Sequence, residues 1–112
     1  MEPLRILFLC SRNRRRSPTA ERLFADRAGV ETASAGLAPD AEERVTPDLL
    51  HWAQLIVVME PVHRRRLQRH FAAHLGHARV VCLDIPDHYD FMEPALIERL
   101  EARMAAHIGR SQ

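Results

Sequence analysis

Apolar positions along the chain fall into short continuous runs separated by stretches of helical spacing. Residues 4–9 form one such run, broken only by Arg5, and residues 55–59, Leu55-Ile56-Val57-Val58-Met59, form another. Runs of this kind mark strands buried on both faces of a parallel sheet. Residues 79–83 make a third strand pattern and residues 30–35 a weaker one. Between them lie helix signals. Ser17 stands as a helix N-cap with Pro18 at the first helical position, Ala20, Leu23 and Phe24 on an inner face and Gly29 as a stop. Thr46-Pro47-Asp48 opens a short helix through Trp52, and residues 36–45 before it form a loop. Pro61 opens a longer helix, with Leu67, Phe71 and Leu75 at four-residue spacing and Gly76 at its end. A polar loop, residues 84–90, leads to a last helix striped by Leu96, Ile97, Leu100, Met104 and Ile108.

Alternating strands and helices predict a parallel sheet joined by right-handed crossovers. We expect one domain over residues 1–112, a three-layer α/β/α arrangement with four parallel strands in the order 2-1-3-4. Ligands of such sheets bind beyond the C-terminal strand ends, at a switch point of the topology. Cys10, Ser34, Glu60 and residues 84–87 all fall at those ends. The chemistry is expected on one edge.

A hydrophobic fraction of 46% in 112 residues supports a true core. No apolar run approaches a membrane span, and Glu2, Pro3 and Arg5 interrupt any leader-like start, so a cytoplasmic protein is expected. Cys10 and Cys82 both lie on strand patterns and are expected as free thiols. The net charge of +1 says little about partners, but its distribution says more. Every basic residue apart from histidine is arginine: Arg12, Arg14, Arg15 and Arg16 crowd beside Cys10, and Arg64, Arg65, Arg66 and Arg69 lie on a helix, where a solvated face is expected. The first group favours anionic substrates.

The segment Cys10-Ser11-Arg12-Asn13-Arg14-Arg15-Arg16-Ser17-Pro18 places a cysteine at a strand end, a short polar loop, and a helix start. Backbone N–H groups of such a loop converge on one point, and the helix dipole adds positive potential there. That point suits an anion, and the nucleophilic form of cysteine is the anionic thiolate. Arg16 can grip two phosphate oxygens through its planar fork. The pattern points to phosphoryl transfer to Cys10.

This spacing resembles the phosphate loop of the low-molecular-weight protein tyrosine phosphatases, a family that includes thioredoxin-linked arsenate reductases. Ser17-Pro18-Thr19-Ala20-Glu21, Ser34-Ala35-Gly36, the strand ending in Met59-Glu60, and Asp84-Ile85-Pro86-Asp87-His88-Tyr89 are similar to further family blocks in the same order. Three departures stand out: Arg12 replaces a common glycine, Arg15 a common second cysteine, and His88 a proline. Against the family the chain is short between Gly36 and Thr46, where a helix and part of the site's wall would lie.

The resemblance implies a cytoplasmic cysteine phosphatase acting on phosphomonoesters, phosphotyrosine first, with nucleotide, RNA-terminal or phosphoarginine substrates as alternatives. Cys10 would be the nucleophile, Arg16 the phosphate clamp and Asp87 the general acid and base, with Asp84 as the rival acid. The loop from Ser11 through Arg12, Asn13, Arg14 and Arg15 to Arg16 would bind phosphate through its backbone. Ser17 would cap the helix and hydrogen-bond the sulfur. Asn13 would hold a left-handed backbone and be braced by Ser34, and Tyr89 is a candidate pocket wall. The mechanism needs no cofactor and no metal, and His70, His74 and His77 lack the accompanying ligands of a metal site. Partners would be a phosphorylated protein or a small phosphomonoester, not a membrane; nucleic acid is disfavoured because aromatics are only 5% of the chain and none lies among the loop arginines. Arsenate reduction, with Cys82 as the one other thiol, and a non-catalytic phosphate-binding module are the competing readings.

Overall fold

The computed structural model describes residues 2–108. Its sheet is built from β1 (Leu4–Cys10), β2 (Val30–Gly36), β3 (Leu55–Val58) and β4 (Arg79–Cys82). All neighbours pair in parallel, as the alternation predicts, and in the expected order β2-β1-β3-β4. The central strands are buried from Ile6 to Cys10 and from Leu55 to Val58, which explains their unbroken apolar runs. The edge strand β2 starts half-exposed, and its sequence signal is correspondingly weak.

Side chains alternate across the sheet, so each face has its own core. On one face Ile6, Phe8, Cys10, Leu55 and Val57 meet α1 (Arg16–Phe24) through Ala20 and Phe24, and α4 (Pro94–Ile108) through Leu96, Leu100 and Met104. On the other, Leu7, Leu9, Ile56 and Val58 meet α2 (Pro47–Trp52) through Leu50 and α3 (Pro61–Phe71) through Leu67. Each such buried aliphatic or aromatic side chain contributes roughly 1.5–3 kcal/mol. The layers are the three expected.

Helix ends are where sequence and structure part. The first helix begins at Arg16, not after a Ser17 cap; its N-cap position is Arg15, with no capping side chain. It also stops at Phe24, and Gly29, at φ 78, serves the turn that enters β2, where its carbonyl accepts the Leu4 N–H at 2.8 Å. Thr46 does cap α2, accepting the Leu49 N–H at 3.2 Å. Helix α3 ends at Phe71 and tightens into a single 3-10 turn, Ala72–His74, before Gly76 is reached. Among the described residues no helix is long and apolar enough to cross a membrane.

The chain passes from β1 outward to β2, then crosses to β3 on the far side of β1. The order therefore reverses beside β1, and the C-terminal ends of β1 and β3 frame a crevice. Cys10, Gly36 and Glu60 lie at this edge, with residues 83–87 following β4.

Candidate active site

The loop after β1 is shaped by its carbonyls. The Cys10 carbonyl accepts the Leu37 N–H at 3.0 Å, Ser11 that of Ala38 at 2.8 Å, and Arg12 that of Glu42 at 3.0 Å. At the loop's far end the Arg15 carbonyl takes the Thr19 N–H and the Thr19 hydroxyl. In a trans peptide the N–H points opposite the carbonyl, and no cis bond occurs among the described residues. The N–H groups of Ser11, Arg12, Asn13 and Arg16 thus point away from the partners of those carbonyls. The uncapped start of α1 adds its own orphan donors at the same place.

Two residues make this clamp possible. Gly36, opposite Cys10 in the β1–β2 register, lies under the loop: a Cβ there would stand 2.6 Å from the Ser11 carbonyl oxygen and 2.5 Å from the Ala41 Cβ. Asn13 takes φ 57, a left-handed conformation that asparagine tolerates better than most residues. Its side-chain nitrogen donates one proton to Ser17 Oγ at 3.0 Å and the other to Ser34 Oγ at 2.9 Å. Ser34 in turn donates to Glu21 Oε1.

Ser17 Oγ accepts from Asn13 and lies 2.9 Å from Cys10 Sγ and 3.4 Å from the Ala35 carbonyl; towards a thiolate at Cys10, which has no proton to give, the hydroxyl is the donor. Ser17 is fully buried inside the first turn of α1. Its hydroxyl meets the sulfur and not the helix backbone, so the capping role expected of it is replaced by this one. Glu21, noticed in the sequence only as part of a motif, ends the relay.

Arg16 is 2% exposed and held by two bonds from one nitrogen, Nη1 to Glu60 Oε2 at 2.6 Å and to the Ile85 carbonyl at 2.7 Å. Its Nε is buried without a hydrogen-bond partner and lies 3.7 Å from Asp87 Oδ1. A buried guanidinium N–H that the protein does not satisfy is costly unless something else accepts from it. Cys10, Ser11, Arg12, Arg14, Arg15, Arg16, Ala38, Asp40 and Asp87 line one cavity of about 420 Å³, wider than a single oxyanion needs. At its rim Arg12 pairs with Asp40 at 3.6 Å and Arg14 with Glu42 at 3.2 Å.

Two expected members stand apart. Asp84, at φ 55, accepts the Cys82 thiol at 3.7 Å and does not line the cavity. Tyr89 packs half-buried against the α1/α4 core and faces a groove along α4 with Glu98, Arg99 and Arg103, so it is no wall of this pocket. Cys82 lies with the α2/α3 core, on the sheet face opposite Cys10, and burial pushes its thiol up from the ordinary value. His63, which the sequence reading left unassigned, is enclosed beside the loop, its Nε2 3.0 Å from Ser11 Oγ.

Comparison with known proteins bears on the fold and on the sequence pattern of the first half of the chain. The model of the family described as low molecular weight phosphotyrosine protein phosphatase matches residues 5–54. No curated protein matches in sequence. Among solved structures, the tyrosine phosphatase AmsI of Erwinia amylovora is similar at a TM-score of 0.72 with 24% identity, covering 95% of this chain and 93% of its own. The tyrosine phosphatase Wzb of Escherichia coli K30, bound to phosphate, gives 0.70 with 22% identity over 91% and 94%. The YwlE arginine phosphatase of Geobacillus stearothermophilus gives 0.65 with 22% identity over 96% and 99%. The sequence pattern of residues 5–54 is thus similar to that of the low-molecular-weight phosphotyrosine protein phosphatases, and nearly the whole chain shares the fold of these solved structures.

Proposed function

We propose that the protein hydrolyses phosphomonoesters through a cysteinyl-phosphate intermediate. The observation that carries this is the convergence of Cys10, Arg16 and Asp87 on one cavity. The Cys10 thiolate attacks phosphorus, forming an S–P bond as the P–O bond to the leaving group breaks, and Asp87 gives its proton to the departing oxygen. Water then attacks phosphorus and passes a proton to the Asp87 carboxylate. The S–P bond breaks, and the thiolate returns to the proton of Ser17. Arg16 and the loop amides hold the equatorial oxygens, where charge spreads in the transition state.

The rim supports a choice of substrate. Ala38 is the one apolar residue beside Cys10 among those lining the cavity, and three of the lining arginines stand at or near the surface. Such a wall favours phosphotyrosine set in an acidic peptide over a bare aryl phosphate. Structural neighbours include both tyrosine and arginine phosphatases, so the fold leaves the leaving group open. Arsenate reduction is disfavoured by Cys82, which has the sheet between itself and Cys10.

The test is phosphate release from para-nitrophenyl phosphate, phosphoarginine, and phosphotyrosine peptides with acidic or neutral flanks. Activity that survives Cys10→Ser refutes the mechanism. Neutral peptides turned over as well as acidic ones refute the substrate reading.

A further inference from the structure

His63 has no part in the scheme above, yet it is 1% exposed, at the third residue of α3. Both ring nitrogens are engaged. Nδ1 accepts the Glu60 backbone N–H at 3.1 Å, and Nε2 lies 3.0 Å from Ser11 Oγ. A nitrogen that accepts carries no proton, so the neutral ring holds its proton on Nε2 and donates it to Ser11. Burial, and then the charge of Arg16, lower the His63 pKa to about 4, which keeps the ring neutral. Glu60 Oε2 is 4.0 Å from Nε2, too far to compete for that proton. Ser11 Oγ, having accepted, keeps its own hydrogen for another acceptor. Ser11 lines the cavity beside Cys10.

We propose that His63 is a positioning residue for the bound oxyanion. By donating to Ser11 Oγ it turns that hydroxyl into a fixed donor towards the cavity. By accepting from the Glu60 backbone it sets the residue whose carboxylate grips Arg16. One ring thereby ties the β3–α3 corner to both sides of the anion pocket. The identity of the oxyanion rests on the phosphatase reading; the hydrogen-bond arrangement does not.

The two hands of the ring can be removed separately. Glutamine reaches the Nε2 position and can still donate to Ser11, whereas asparagine can replace only the Nδ1 acceptor. Binding of inorganic phosphate to the full chain is measured by calorimetry, beside kinetics with para-nitrophenyl phosphate. His63→Asn should weaken phosphate binding about tenfold, the size of one lost hydrogen bond, and raise KM with it. His63→Gln should stay within about threefold of the parent. Ser11→Ala should match the loss of His63→Asn, and the double variant should lose no more than either alone. Equal losses in Asn and Gln variants, or additive losses in the double variant, overturn the proposal. If His63→Asn does not fold, Ser11→Ala decides it, since unchanged phosphate affinity there is also fatal. A parent that shows this dependence in binding yet releases no phosphate from esters supports His63 and overturns the phosphatase reading.

Discussion

Gly36→Ala tests how the phosphate loop is held. The position has no special backbone angle to protect, since among the described glycines only Gly29 has positive φ. What it lacks is room. The new methyl would meet the Ser11 carbonyl oxygen at 2.6 Å, the Ala41 Cβ at 2.5 Å and the Arg12 carbonyl carbon at 3.1 Å. Carbon atoms prefer about 3.5–4.0 Å, so the shortfall is close to 1 Å. The strand cannot yield easily, because Gly36 pairs with Cys10, donates to the Glu43 carbonyl at 2.7 Å and accepts the Val45 N–H at 2.9 Å. The loop must move instead. Overpacking of this kind costs roughly 1–3 kcal/mol in stability. Displacing a catalytic loop by about 1 Å costs on the order of 100-fold in rate. Urea unfolding and kcat/KM for para-nitrophenyl phosphate measure the two effects. Adding Ala41→Gly should restore part of the stability but little of the rate, because the Ser11 clash persists. A Gly36→Ala protein within about threefold of parental kcat/KM would refute the clamp.

Three further outcomes are expected. Asp87→Asn should lower kcat by about 10²–10⁴ with a poor leaving group and by less with para-nitrophenolate, read from a leaving-group series. Glu60→Ala strips the main partner from a guanidinium only 3% exposed, and should cost about 3 kcal/mol in urea unfolding, the low end for a broken buried pair because Asp87 stands nearby. His63 should make the fold acid-sensitive: its pKa falls from 6.5 to about 4 on folding, so between those values the unfolded chain binds a proton that the native state refuses. Stability from this ring is therefore whole above the unfolded value and lost as pH falls. From about pH 7.5 to about pH 5 the loss is roughly 2 kcal/mol, isolated as the difference between the parent and His63→Gln in paired denaturant titrations.

The buried strands of the parallel sheet were legible because burial on two faces leaves unbroken apolar runs, as at residues 55–58. The strand end, loop and helix start around Cys10 were legible because they are neighbours in sequence. What the sequence hid was supplied by other elements. Of the two roles expected of Ser17, only the bond to the Cys10 sulfur is found, because Arg15 takes the N-cap position. His63 sits in a run with Arg64, Arg65 and Arg66 that looks like a solvated face, and only the packing of α3 against the loop encloses it. Residues 37–42 looked like a shortened wall. In the fold their N–H groups hold the carbonyls of Cys10, Ser11 and Arg12, a role that side-chain identity does not encode.

The separation of the two thiols has a consequence for life under oxidants. Peroxide that enters the cavity would take a Cys10 thiolate to the sulfenic acid, and many enzymes arrest damage there by forming an internal disulfide. Arg15 stands where a neighbouring cysteine could have done this, and Cys82 is walled off by the sheet. Repair must come from outside: a small diffusible thiol has to reach the pocket before a second oxidation makes the loss permanent.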